Sequence, residues 1–228
     1  MEKSLLCDSS SLISLTEAAL EDILYFMKEK FGIKFIIPPS VEYESITRPL
    51  QGDLKSHSFS AMRLKRALLD NALVKIDHNG EVKRTTNEVL RLTNNLFFMK
   101  GNPLRLVQIG EAEMIALAKE LDVKYILIDE RTTRMLIESP FRIKEHLEQE
   151  FGVSIMVNKV NLTRFSEITH GMEPIRSSEL LIVAYEGGFL DKFKEFKKQA
   201  LEAALYKIKF SGCAIRFDEI ADAVKSER

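Results

Sequence analysis

Cysteine is scarce in this chain of 228 residues, which has only Cys7 and Cys213. Two thiols fall short of a disulfide framework and neither has a neighbour at metal-ligand spacing, so a reducing compartment is expected. Both read as buried apolar side chains. Histidine is also rare, and His57, His78, His146 and His170 are scattered among polar segments. That argues against a histidine general base and for surface positions. An excess of one charge is missing: 33 basic against 34 acidic residues leave a formal charge of −1. A polyanionic partner must therefore meet a local basic patch. No apolar run approaches the ~20 residues that span a bilayer, and the stretch after Lys3 is cut short by Asp8. A soluble, cytoplasmic protein without membrane contact is expected. There is no internal repeat and no low-complexity tract. What is present is a 45% hydrophobic composition, enough for a full core in one domain with an insertion or tail.

Along the chain, apolar runs and helical spacings alternate. Ser4–Cys7 predicts a strand stopping at Asp8, followed by a polar turn and a helix whose spacing begins at Leu12, restarts at Thr16 and is closed by Gly32. Lys34–Ile37 predicts a second strand, closed by Pro38-Pro39 before a helix with Ser40 as its cap. Ala61–Leu69 reads as a short basic helix, Leu73–Asp77 as a strand and Thr86–Met99 as a helical face. A small-residue helix opens at Gly110-Glu111-Ala112-Glu113, and Tyr125–Ile128 predicts a strand ending at Asp129-Glu130-Arg131. Val153–Val157 is expected to be the last strand, and Phe189–Phe210 one long amphipathic helix rich in lysine. The alternation predicts an α/β fold: a three-layer α/β/α sandwich with a mainly parallel sheet, whose ligand site lies beyond the C-terminal strand ends. The expected organisation is a domain over residues 1–190, with a helical insertion at about 50–100, and a helical extension over 191–228.

Carboxylates fall where such a site would be. Asp8 ends the first strand, Asp129 and Glu130 end a later one, and Glu44 and Glu113 belong to helices that could begin at the same rim. Gathered without a cation they would repel one another, and an all-oxygen donor set suits Mg²⁺ or Mn²⁺ rather than Zn²⁺. A metal there supports phosphodiester hydrolysis. Each residue also has a plain structural reading. Asp8 could be a turn or cap residue, Glu44 a solvated one, and Glu111 and Glu113 first-turn carboxylates. Arg131 and Arg134 could contact phosphate or pair with Asp129 and Glu130.

The blocks Asp8-Ser9-Ser10-Ser11-Leu12-Ile13, Pro38-Pro39-Ser40-Val41 leading to Glu44, Gly110-Glu111-Ala112-Glu113 before an alanine-rich stretch, and Ile126-Leu127-Ile128-Asp129-Glu130-Arg131 resemble the motifs of the PIN-domain family, in the same order. The likeness is to its prokaryotic branch and spans roughly residues 4–190. It implies a metal-dependent endoribonuclease using Mg²⁺ or Mn²⁺, with RNA as substrate and, for toxin members, an antitoxin protein as partner; homodimerisation is a further family implication. On this resemblance Asp8, Glu44, Glu113, Asp129 and Glu130 are the catalytic carboxylates. All of these except Glu44 are expected to hold metal, with Ser10, Glu111 and Arg131 in support. The family's last block carries an aspartate pair where this chain has Asp129-Glu130, which leaves open which of the two faces the metal.

Arg134, Lys194 and Lys198 are candidate RNA contacts, although Phe189, Phe193 and Phe196 among the lysines also suit a helix packed on the domain. The competing function is a catalytically inactive PIN-like module that binds RNA or a protein partner.

Overall fold

The computed structural model describes residues 3–52 and 55–226. Its strands are β1 (Lys3–Cys7), β2 (Ile33–Ile37), β3 (Leu73–Lys75), β4 (Phe97–Met99), β5 (Asn102–Pro103), β6 (Tyr125–Leu127), β7 (Ile155–Val157) and β8 (Glu173–Ile175). The helices are α1 (Ser9–Glu17), α2 (Asp22–Phe31), α3 (Pro39–Glu42), α4 (Arg48–Leu50), α5 (Ser58–Leu69), α6 (Gly80–Thr93), α7 (Ile109–Glu120), α8 (Arg131–Glu138), α9 (Pro140–Phe151), α10 (Lys159–Ile168), α11 (Ser177–Glu186), α12 (Lys197–Phe210) and α13 (Phe217–Ser226). A π turn over Tyr43–Thr47 joins α3 to α4.

The central sheet has the order β3-β2-β1-β6-β8, and every pairing in it is parallel. Both of its faces are covered, as the strand residues require. Leu5, Cys7, Phe35, Ile37 and Leu127 enter one core, with α1, α2, α5, α11 and α12; Leu6, Ile36 and Ile126 enter another, with α6 and α7. Side chains that alternate across a strand and are apolar on both sides are the mark of a sheet enclosed between helical layers. The fold is therefore α/β with three layers, as the strand and helix pattern predicts. A third core lies under a small antiparallel sheet of order β5-β4-β7, packed with α9 and α10.

Several expectations are corrected. The first helix starts at Ser9, inside the expected polar turn, because Asp8 is its cap and accepts the Ser10 N–H; it stops where Ala19 turns to φ 56°, and the restart falls at Asp22, the first residue of α2, not at Thr16. The strand Val153–Val157 belongs to the small sheet, and the last strand of the central sheet is Glu173–Ile175, whose Pro174 sits on an edge where a missing N–H costs nothing. Residues 189–210 are not one helix: a 3₁₀ segment (Asp191–Phe196) breaks at Lys194, with φ 50°, before α12. Leu201, Leu205, Ile208 and Ile220 from α12 and α13 lie in the same core as Leu5 and Leu12. Among the described residues no helix is long and apolar enough to cross a membrane.

Candidate active site

β1 leads on one side to β2 and β3, and on the other side stands β6, so the chain's direction across the sheet reverses between β1 and β6. At such a point the loops leaving neighbouring strands diverge and open a crevice beyond their C-terminal ends. A pocket of about 330 Å³ lies there, lined by Asp8, Ser9, Ser10, Ser40, Tyr43, Glu44, Arg48, Gln108, Ile109, Gly110, Glu111 and Glu130. Four carboxylates thus converge from the end of β1, the π turn, the start of α7 and the loop before α8.

Each is held by local chemistry. Asp8 caps α1, its Oδ2 accepting the Ser10 amide at 3.2 Å and a short bond from the Ser10 hydroxyl. Ser9 Oγ donates to Glu44 Oε2 at 3.0 Å. The start of α7 lies against Glu44: a Cβ at Gly110 would make ordinary contact with Glu44 Oε2, at 3.7 Å. Glu111 closes a capping box, accepting the Gln108 N–H at 2.9 Å. Glu130 caps α8 with both oxygens, which accept Thr132 N–H and Thr133 N–H at 2.6 Å each.

The carboxylates also feel one another. Burial, opposed by the Ser10 hydroxyl and reinforced by Glu111 and Glu44, pushes the Asp8 carboxyl up to about 7. Glu111 is raised as well, mainly by burial, with Glu130 and Glu44 adding to it. Crowded acids of this kind take up a proton or a cation.

Glu113 and Asp129, expected at the metal, do not line this pocket. Glu113 is buried on α7, where its Oε2 accepts the Ser40 N–H at 2.9 Å and its Oε1 lies 3.4 Å from His78 Nε2. It props the start of α3. His78 is accordingly only 18% exposed, a correction to the expectation of surface histidines. Asp129 is fully buried and turned toward α11: Oδ1 accepts Ser177 N–H at 2.8 Å and Oδ2 accepts Ser177 Oγ at 2.6 Å. Of the Asp129-Glu130 pair, Glu130 is the one that lines the pocket. Arg131 is exposed at the start of α8, and Arg134 lies 3.8 Å from Glu138 on its own helix rather than beside Asp129 or Glu130. Lys194 and Lys198 are exposed on the C-terminal elements and do not line the pocket.

Sequence reasoning missed Tyr43, Arg48 and Ile109, and it assigned Ser9 no part. Arg48, four residues after Glu44, carries a visible signal, and Tyr43 follows Ser40 by three residues, which sets the two on one helical face. The donor set of carboxylate and hydroxyl oxygens fits a hard divalent cation in kind. Asp8 Oδ1 and Glu44 Oε1 accept no hydrogen bond among the described residues. Also among the described residues, no group of three or more His, Cys, Asp or Glu side chains is close enough to hold an ion directly. A cation that keeps several of its own waters and takes one or two carboxylates, as Mg²⁺ does, is compatible with so open an arrangement. No family model matches the chain, and searches of curated proteins and of solved structures give no match either.

Proposed function

We propose that this pocket hydrolyses RNA phosphodiester bonds with the help of Mg²⁺ or Mn²⁺. The observation that carries the reading is the convergence of Asp8, Glu44, Glu111 and Glu130, from four separate elements, on one pocket at the sheet's switch point. The ordered likeness of the surrounding motifs to PIN-domain blocks supports the same chemistry. Asp8 and Glu44, each with an oxygen left over, are the residues that would hold the cation, with Glu111 beside them. Glu130 spends its oxygens on the start of α8 and contributes mainly negative charge. When bound, the cation supplies a more acidic water and offsets charge on the phosphoryl oxygens. Ser10 fixes the rotamer of Asp8 and Ser9 that of Glu44, so the two carboxylates meet substrate already oriented.

The test is incubation of a mixed single-stranded RNA with the purified chain in Mn²⁺, Mg²⁺ or EDTA, alongside Asp8→Asn. Cation-dependent products that vanish in Asp8→Asn are expected. Intact RNA under every condition would turn the reading toward the non-catalytic module.

A further inference from the structure

The pocket's acidic side explains how it would hold a cation, but four carboxylates repel a phosphodiester, and something must hold the strand. Arg48 is the one cation among the lining residues. It is exposed and, among the described residues, makes no ion pair and no side-chain hydrogen bond, although it follows Glu44 by four residues.

The π turn accounts for this. The Arg48 N–H donates to the Tyr43 carbonyl, five residues back. In an α-helix, with 3.6 residues per turn, residues five apart point to different sides. The wider π turn swings Arg48 toward Tyr43, which it follows by five residues, and the two line the same pocket. Pro49 explains why the turn is wide: its ring would collide with the Ser45 carbonyl if the α-helix continued, and the extra residue relieves that clash. Tyr43 and Ile109, large apolar side chains 51% and 55% exposed, line the same pocket. The Ser40 hydroxyl, also in the lining, is buried and has no partner among the described residues.

We propose that Tyr43 and Arg48, brought to one pocket by the π turn, form a substrate-holding edge for single-stranded RNA. This rests on the nuclease reading of the same pocket and adds which of its residues hold the strand. Arg48 takes a backbone phosphate next to the scissile one, through the planar fork that suits phosphate oxygens. The Tyr43 ring, with Ile109 beside it, takes the face of an unpaired base. A duplex keeps its bases stacked and offers this edge phosphate alone.

The experiment measures binding of a fluorescein-labelled mixed-sequence oligoribonucleotide, single-stranded or annealed to its complement, by anisotropy in Mg²⁺. It uses the full chain carrying Asp8→Asn so that the strand is not cut. Adding Arg48→Ala is expected to weaken single-strand binding tenfold or more and to flatten its log–log salt dependence by about 0.7 for the one phosphate lost. Adding Tyr43→Ala is expected to cost roughly 5- to 150-fold, as loss of one stacked base does. Tyr43→Phe, which keeps the ring, stays near the parent, and the duplex binds at least tenfold more weakly than the single strand. Both positions are exposed, and circular dichroism confirms that the variants fold. Equal binding by parent, Arg48→Ala and Tyr43→Ala, or equal binding of duplex and single strand, overturns the proposal, as does a parent that binds no RNA. If binding shows these sensitivities while the wild-type chain cuts nothing, the nuclease reading falls and the holding edge stands; cutting with indifferent binding gives the reverse.

Discussion

Asp8 is buried at 4% exposure, and its carboxyl is pushed up from 3.8 to about 7, first by burial and then by Glu111 and Glu44. Between those values the folded, metal-free chain holds a proton that the unfolded chain has released, so stability falls as pH rises from about 4 to about 7 and the full penalty persists above. Asparagine caps a helix as well as aspartate does and has no charge to bury. In EDTA, Asp8→Asn is therefore expected to be more stable than wild type at pH 8, by a few kcal/mol at most, and little changed at pH 4. Urea midpoints at the two pH values check this; the same difference at both would mean that Asp8 titrates as an ordinary surface acid. Asp129 makes the opposite case, since both its oxygens are satisfied by Ser177. Asp129→Ala leaves a buried N–H and a buried hydroxyl without acceptors, and a loss of about 3 kcal/mol is expected in urea unfolding.

At the scale of elements, helix starts build the site. Asp8 begins α1 and Glu111 closes the box at the head of α7, while Glu130 begins α8, so three of the four pocket carboxylates also cap a helix. For Glu130 the two roles compete for the same oxygens. Glu130→Ala is expected to cost about 1–2 kcal/mol and lower Tm by about 2–8 °C, with Glu130→Gln losing less because it keeps one acceptor. A Tm unchanged in both, measured by scanning calorimetry in EDTA, would remove the capping role. The elements themselves were largely legible along the chain. Alternating apolar runs and helical spacings marked β1, β2, β3, β6, α5 and α7 near their observed positions. Errors fell where a residue's role depends on a partner far away in the chain. Pro174 disguised β8, whose edge position only the sheet defines, and lysine and phenylalanine spacing ran straight through the break at Lys194.

Over the whole molecule, the C-terminal helices are bound to the sheet layers. Leu201, Leu205, Ile208 and Ile220 are each buried to 0% exposure in the core that holds Leu5 and Leu12. Arg176, at the head of α11, donates to Glu219 at 3.2 Å and to Glu179 at 3.0 Å, tying α13 to α11. Burying an aliphatic side chain contributes about 1.5–3 kcal/mol, so four of them match much of the 5–15 kcal/mol that a domain has in total. A chain ending at residue 190 is expected to lose cooperative unfolding and expose apolar surface, read by near-ultraviolet dichroism and dye binding. A truncated chain with the full-length Tm would make 191–228 an appendage.

Fold class follows from local chemistry: residues apolar on both faces of short strands, separated by helical spacings, must be enclosed between helical layers. The same local chemistry put Asp8 and Glu130 at strand ends, where loops form a rim. Which carboxylates share the pocket was decided only in three dimensions. Glu111 and Glu113 are two residues apart on α7 and so point in different directions, one to the pocket and one to Ser40 and His78. Asp129 and Glu130 part in the same way, one to Ser177 and one to the rim. Neighbours in sequence present the same chemistry on paper, and only the packing of α3, α7 and α11 against the strand ends determines which member of each pair meets solvent.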